Sequence, residues 1–176
     1  MRGVSDEIHS VFTYRGHRHH VFANLSPEFE EITITCTAPS KTFNLAGLQI
    51  SNIFIPNPKL KRKFKEAVAA TGYSEANLMG LAACQAAYEQ GRPWLKQLKE
   101  YLEGNLSFVR EYLKEHLPEI SLVEPEGTYL IWLDFRELGL TESQREELIV
   151  NKAHLWLDSG VMFGAGGEGF ERINIA

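Results

Sequence analysis

Cysteine is nearly absent from this chain. Cys36 and Cys84 are the only two in 176 residues, and no CxxC spacing occurs. A disulfide framework is therefore excluded, and a reducing compartment fits best. Long apolar runs are also missing, so no stretch reads as a bilayer-spanning helix. No charged segment followed by an apolar core opens the chain. Together these give the expectation of a soluble cytoplasmic protein. Positive charge is not in excess: 18 Lys and Arg stand against 23 Asp and Glu, a net −5. That balance gives no footprint for nucleic acid or for an anionic membrane. The basic run from Lys59 to Lys65 falls on an expected helix and reads as its solvated face. Internal repeats and low-complexity tracts are absent as well.

What is present is globular. Hydrophobic residues make up 44% of the chain, enough for a proper core. Residues 31–37 and 51–55 read as strands. In the first, Ile32, Ile34 and Cys36 alternate with Thr33, Thr35 and Thr37. Asn57-Pro58 is a helix start, with asparagine as cap and proline in the first position; the helix runs to about Ala70. Ser74 can cap another, reaching Glu89 or Gln90. Gly91-Arg92-Pro93 breaks the pattern, and a long amphipathic helix follows from Trp94 to about His116. A hairpin is expected from Ile120 to Asp134, turning at Glu124–Gly127. Thr141 and Gln144 form a capping box for a last helix through Trp156. The order suggests part of an α/β domain over residues 1–91, then a small α+β domain over 92–176. Because the chain starts abruptly and stops inside the strand-like run Phe170–Ala176, it is expected to be a piece of a longer protein.

Lys41 is the most informative side chain. It follows a β-branched strand and precedes the small, apolar run Phe43–Leu48. A lysine at the end of a buried strand is desolvated, which disfavours its charged form and leaves a nucleophilic amine able to form a Schiff base with an aldehyde. The hydroxyls of Thr37 and Ser40 lie near enough in sequence to meet a phosphate. Taken alone, the residue reads as a solvated surface charge, the commoner place for a lysine; the rest of the chain changes that reading.

Other candidates carry similar alternatives. Asp6 suits a cationic ring nitrogen, or a turn. His9 suits a phenolate oxygen on the same ring, or a structural role. His17, His19 and His20 invite a metal reading, but no carboxylate or cysteine accompanies them at useful spacing, and a solvated or cleft-lining loop is expected. Gly164–Gly169 spells GxGxxG, yet a strand rather than a helix follows, so it is not a dinucleotide fingerprint. Arg172 matches a carboxylate bidentately, or forms an internal salt bridge with Glu168 or Glu171.

Four segments carry a resemblance: Ser5–Ser10, Thr35–Gln49, Pro125–Asp134 and Gly164–Ala176. In this order they resemble the class I/II aminotransferase superfamily of pyridoxal-phosphate enzymes, the aspartate-aminotransferase-like fold, and within it the cystathionine β-lyase and maltose-regulon-repressor branch. The resemblance implies the C-terminal part of the large domain plus most of the small domain. It implies pyridoxal 5′-phosphate held by Lys41, which would later move the substrate's α-proton. Asp6 would pair with the pyridine nitrogen, His9 would face the ring oxygen, and Ser40 would help bind phosphate. Arg172 would clamp the α-carboxylate of a small amino-acid substrate. No metal is implied, and a homodimer is implied for the complete protein. Many aminotransferases carry an arginine eight residues after the lysine; here that position is Gln49, which favours carbon–sulfur β-elimination over transamination. The resemblance also places a ring-stacking aromatic and part of the phosphate site in an N-terminal half outside this chain. A catalytically inactive fragment is therefore the remaining alternative.

Overall fold

The computed structural model describes residues Arg2–Ala176. They form two compact units that divide between Gln97 and Leu98, inside a long helix and beyond the glycine break.

The first unit is built on a three-stranded sheet. β1 (Gly3–Asp6) pairs in parallel with β2 (Thr33–Thr37), and β2 pairs antiparallel with β3 (Asn52–Phe54). A parallel pair needs a long crossover. Here residues 7–32 supply it, and its last element is α1 (Pro27–Ile32). The expected strand at 31–37 therefore starts two residues late. Ser26 accepts a hydrogen bond from the Phe29 amide, Pro27 opens the helix, and Glu28 and Glu30 sit in its first turn. All three signals favour a helix. In β2 it is Thr33 and Thr35 that are buried, while Ile34 and Cys36 are half-buried. The Thr33 hydroxyl is satisfied by donating to the Phe29 carbonyl at 2.5 Å, which makes its burial tolerable.

The sheet is followed by α2 (Pro58–Ala70) and α3 (Leu78–Gln90), then by α4 (Arg92–His116), which carries the chain into the second unit. Asn57 caps α2 by accepting from the Lys59 and Leu60 amides, as its sequence predicts. No residue of α2 is buried, so its basic run is the solvated face expected. The cap of α3 is Asn77 rather than Ser74: its side chain accepts from the Met79 amide and donates to the Leu48 carbonyl. That second bond ties the helix to the turn after β2. Gly80 permits the approach, since a methyl there would lie 2.8 Å from the Leu48 oxygen. The break before α4 shrinks to Gly91 alone, because Phe43 packs into the space that a side chain would fill, with a ring carbon 2.3 Å from a built Cβ. Arg92 and Pro93 are helical, and proline is tolerated in a first turn.

The second unit is an antiparallel sheet in the order β4 (Ser121–Val123), β5 (Leu130–Asp134), β7 (Phe170–Asn174), β6 (Asp158–Ser159). β4 and β5 form the expected hairpin. Leu113 of α4, Leu133, Phe135 and Ile149 make the buried cluster. The capping box at Thr141 is present in both directions and starts α5 (Glu142–Glu146). The helix does not reach Trp156. It widens into a π-helical stretch over Glu147–Lys152 and stops. His154, at φ 55°, takes the left-handed conformation that ends it, leaving Trp156 89% exposed.

Between β6 and β7 the backbone folds tightly on itself. A methyl at Gly160 would lie 2.0 Å from the Gly167 oxygen and 2.7 Å from that of Phe170. Both obstacles are main chain and cannot rotate aside. Gly160→Ala is expected to cost about 2–3 kcal/mol by overpacking, read as a lower urea midpoint with an unchanged denaturant slope.

Candidate active site

Register decides what comes together in the first unit. In the parallel pair, Asp6 lies opposite Cys36, so β1 and β2 end at the same edge of the sheet. From that edge β1 delivers Asp6 and the turn holding His9. One residue beyond Cys36, β2 ends at Thr37 and enters the turn Pro39–Asn44, which contains Ser40 and Lys41. β3 starts at the same edge, with Asn52 opposite Thr37. Ligands of open α/β sheets bind beyond the carboxyl ends of parallel strands, and this edge is such a place.

The Lys41 turn is held by main-chain bonds from Phe43 N to Pro39 O (2.8 Å) and from Leu45 N to Ser40 O (2.9 Å). Pro39 and Thr42 anchor it in the interior. Phe43 packs beside Trp94, with ring centroids 5.6 Å apart, and edge-on to Tyr88 at 6.4 Å. Asn44, at φ 55°, and Gln49, at φ 49°, are both left-handed, which closes the turn and redirects the chain toward β3.

The expectation that Lys41 lies out of solvent is not met: its side chain is exposed in this chain. The buried members of the turn are its neighbours, so strand burial upstream does not carry over to the lysine. Asp6 is exposed too. One of its carboxylate oxygens accepts from the Ile8 amide at 3.2 Å, the turn role its position allowed. Its charge reaches Cys36, whose thiol is pushed up by burial and, secondarily, by that carboxylate. His9 is half-buried in the turn after β1, its ring centroid 6.3 Å from that of Phe12. Ser40 is half-buried.

The sequence reading missed Glu7. It is only 5% exposed and accepts three hydrogen bonds: from His19 Nε2 at 2.8 Å, Ser5 Oγ at 3.0 Å and the Phe22 amide at 3.1 Å. Burial alone would push its carboxyl up; the His19, Phe22 and Ser5 bonds outweigh burial and hold it below the ordinary value of 4.5. His19 is thus partnered by a carboxylate twelve positions away, which local spacing cannot reveal. Among the described residues no metal-binding cluster forms around these histidines. Stability from Glu7 is fully present above about pH 4.5 and is lost as pH falls through the folded-state value. The stability gap between wild type and Glu7→Gln is therefore expected to widen from pH 3 to pH 6 in urea titrations.

Arg172 belongs to the second unit, on β7. Its internal partner is neither Glu168 nor Glu171 but Asp158, directly opposite on β6. One Asp158 oxygen accepts from both Nε (3.1 Å) and NH2 (2.7 Å), and the guanidinium lies 4.5 Å from the centre of the Phe163 ring. Glu171 faces the other way, into a buried bond with Arg145, because neighbours on a strand point to opposite faces. The GxGxxG run is a short 3-10 turn over Ala165–Gly167 leading straight into β7, so no helix N-terminus follows it.

The family profile for class I and II aminotransferases matches residues 1–176. The chain belongs to that family. It is 43% identical, over 97% of its length, to the cystathionine beta-lyase PatB of Bacillus subtilis, covering 44% of that protein. It is 30% identical over 99% of its length to the MalY protein of Escherichia coli, again covering 44%. Among solved structures, cystalysin from Treponema denticola, which contains a pyridoxal 5′-phosphate cofactor, superposes with a TM-score of 0.96 at 39% identity, over 100% of this chain and 45% of that one. The chain thus spans a little under half the length of the relatives it matches.

Proposed function

We propose that the protein to which this chain belongs is a pyridoxal-phosphate-dependent carbon–sulfur β-lyase acting on cystathionine or related cysteine S-conjugates. The observation that carries the reading is the parallel register of β1 and β2, which sends Asp6 and the Lys41 turn out of one sheet edge. The residues there suit the cofactor. Among the described residues neither the Lys41 amine nor the Asp6 carboxylate is spent in an ion pair, so both are available to a ligand. The names of relatives support the chemistry, and Gln49 in place of a phosphate-binding arginine favours lyase over transaminase.

When bound, pyridoxal phosphate supplies an aldehyde for amines and an electron-withdrawing ring that stabilises a carbanion. Lys41 Nζ is the amine that would hold it, and the same amine would act as the base that removes the substrate's α-proton. Asp6 would keep the ring nitrogen protonated through its negative charge. His9 would serve the ring oxygen and Ser40 Oγ the phosphate, and Arg172, on the second unit, would be the group for the substrate α-carboxylate. The overall reaction consumes cystathionine and water and yields a thiol, pyruvate and ammonia. A homodimer and a cytoplasmic location belong to the same reading, the latter supported by two unpaired cysteines.

The test is an assay of the complete protein with cystathionine. Thiol and pyruvate in equal amounts are expected. Amino transfer to a 2-keto acid without thiol release would establish transamination, the second reading, which the family's name favours. This chain by itself is expected to bind the cofactor weakly, because the Lys41 side chain is exposed to solvent.

A further inference from the structure

Arg172 is held on one side by Asp158 and on one face by Phe163. A guanidinium offers two edges to an oxyanion, Nε with NH2 and NH1 with NH2. Asp158 occupies the first edge with a single oxygen, and Phe163 covers one face of the plane. No hydrogen bond from NH1 is formed to any described residue, and the side chain keeps 26% of its exposure, so the second edge is reachable. The pair sits at matched positions of β6 and β7, so backbone hydrogen bonds fix the distance between the two Cα atoms.

We infer that Asp158 is a positioning residue: it locks the guanidinium through one edge and so presents the other edge to the substrate's carboxylate. The inference rests on the role proposed for Arg172. Two effects of Asp158 oppose each other. Its negative charge repels an incoming carboxylate, while its hydrogen bonds freeze a flexible side chain in one orientation before binding. Asp158 is 42% exposed, so solvent screens the repulsion. The orienting hydrogen bonds are charge-assisted and act at contact distance, where less water intervenes than between Asp158 and an incoming carboxylate, so positioning wins.

The complete enzyme, loaded with cofactor, is the material for the test. Asp158→Ala is expected to raise the substrate KM about tenfold while kcat changes less than about twofold. Asp158→Asn, which keeps an acceptor and the side-chain shape, is expected to stay within about threefold of wild-type KM. An NMR titration with propionate, a carboxylate without an amine, should show the same order of dissociation constants, independent of turnover. A KM that falls in both variants would mean repulsion dominates and overturns the inference. So would an unchanged KM in Asp158→Ala while Arg172→Gln raises it, a result that leaves the clamp standing. If Arg172→Gln leaves KM and propionate binding unchanged, the clamp itself is refuted, and the role of Asp158 with it.

Discussion

Replacing Arg145 by methionine is expected to destabilise the chain by about 3–5 kcal/mol. Arg145 is 2% exposed, and its Nε donates to Glu171 Oε1 at 2.8 Å while NH2 binds Glu142. Glu171 is itself 5% exposed, and Glu142 also accepts from Ser159 Oγ at 2.6 Å. The arginine thus joins α5 to β7, with β6 drawn in through Ser159. Methionine fills the volume but removes the only cation between two carboxylates. Burial already pushes the Glu171 carboxyl above its ordinary value, despite Arg145; Glu142 and Asp158 add to the rise. Without Arg145 that rise is larger. For an acid whose folded-state value is raised, stability falls as pH climbs from the unfolded toward the folded value. The variant should therefore be weaker at pH 8 than at pH 5 in thermal melts, beyond any such trend in wild type. Adding Glu171→Gln should recover part of the loss, because the uncompensated charge is then gone. A loss under about 1 kcal/mol, independent of pH, would show that the network contributes little.

Lys41→Ala is expected to lower kcat of the complete enzyme roughly 10³-fold. The lysine amine has two duties in the proposed chemistry, attachment and proton removal, and alanine supports neither. Structure argues that the loss is chemical and not a folding defect. The side chain is exposed, while Pro39 and Thr42 anchor the turn and its bonds are main-chain. The melting temperature of the variant should therefore match wild type. Added methylamine should restore part of the activity if the amine acts as a base. Unimpaired turnover in a correctly folded Lys41→Ala protein would remove the lysine from the mechanism.

Legibility tracked the range of the interaction. Asn57-Pro58 and the Thr141–Gln144 box were readable because a cap and its targets lie within three residues, and both form as written. The hairpin around Glu124–Gly127 was readable for the same reason. α1 was legible in principle from Ser26-Pro27-Glu28, but the alternating pattern that follows drew the strand too far back. The start of α3 turned on a tertiary bond, Asn77 to Leu48, which favours asparagine over an equally good local cap at Ser74. The early end of α5 depends on a left-handed residue at His154, which no glycine announced. In the candidate site, Lys41, Asp6 and Arg172 were identified from motif words. Glu7 was passed over although it adjoins Asp6, because two of its three partners, His19 and Phe22, arrive from a loop more than ten residues away. The Arg172–Asp158 pair was missed for a different reason: sequence proximity pointed to Glu168 and Glu171, whereas strand pairing, not adjacency, chooses the partner.

The three-stranded sheet has β1 and β3 as its outer members among the described residues. Each therefore turns a row of main-chain donors and acceptors outward, and Val4, Ile53 and Phe54 flank those rows with exposed apolar side chains. Such a border is a template for any extended polypeptide of suitable length.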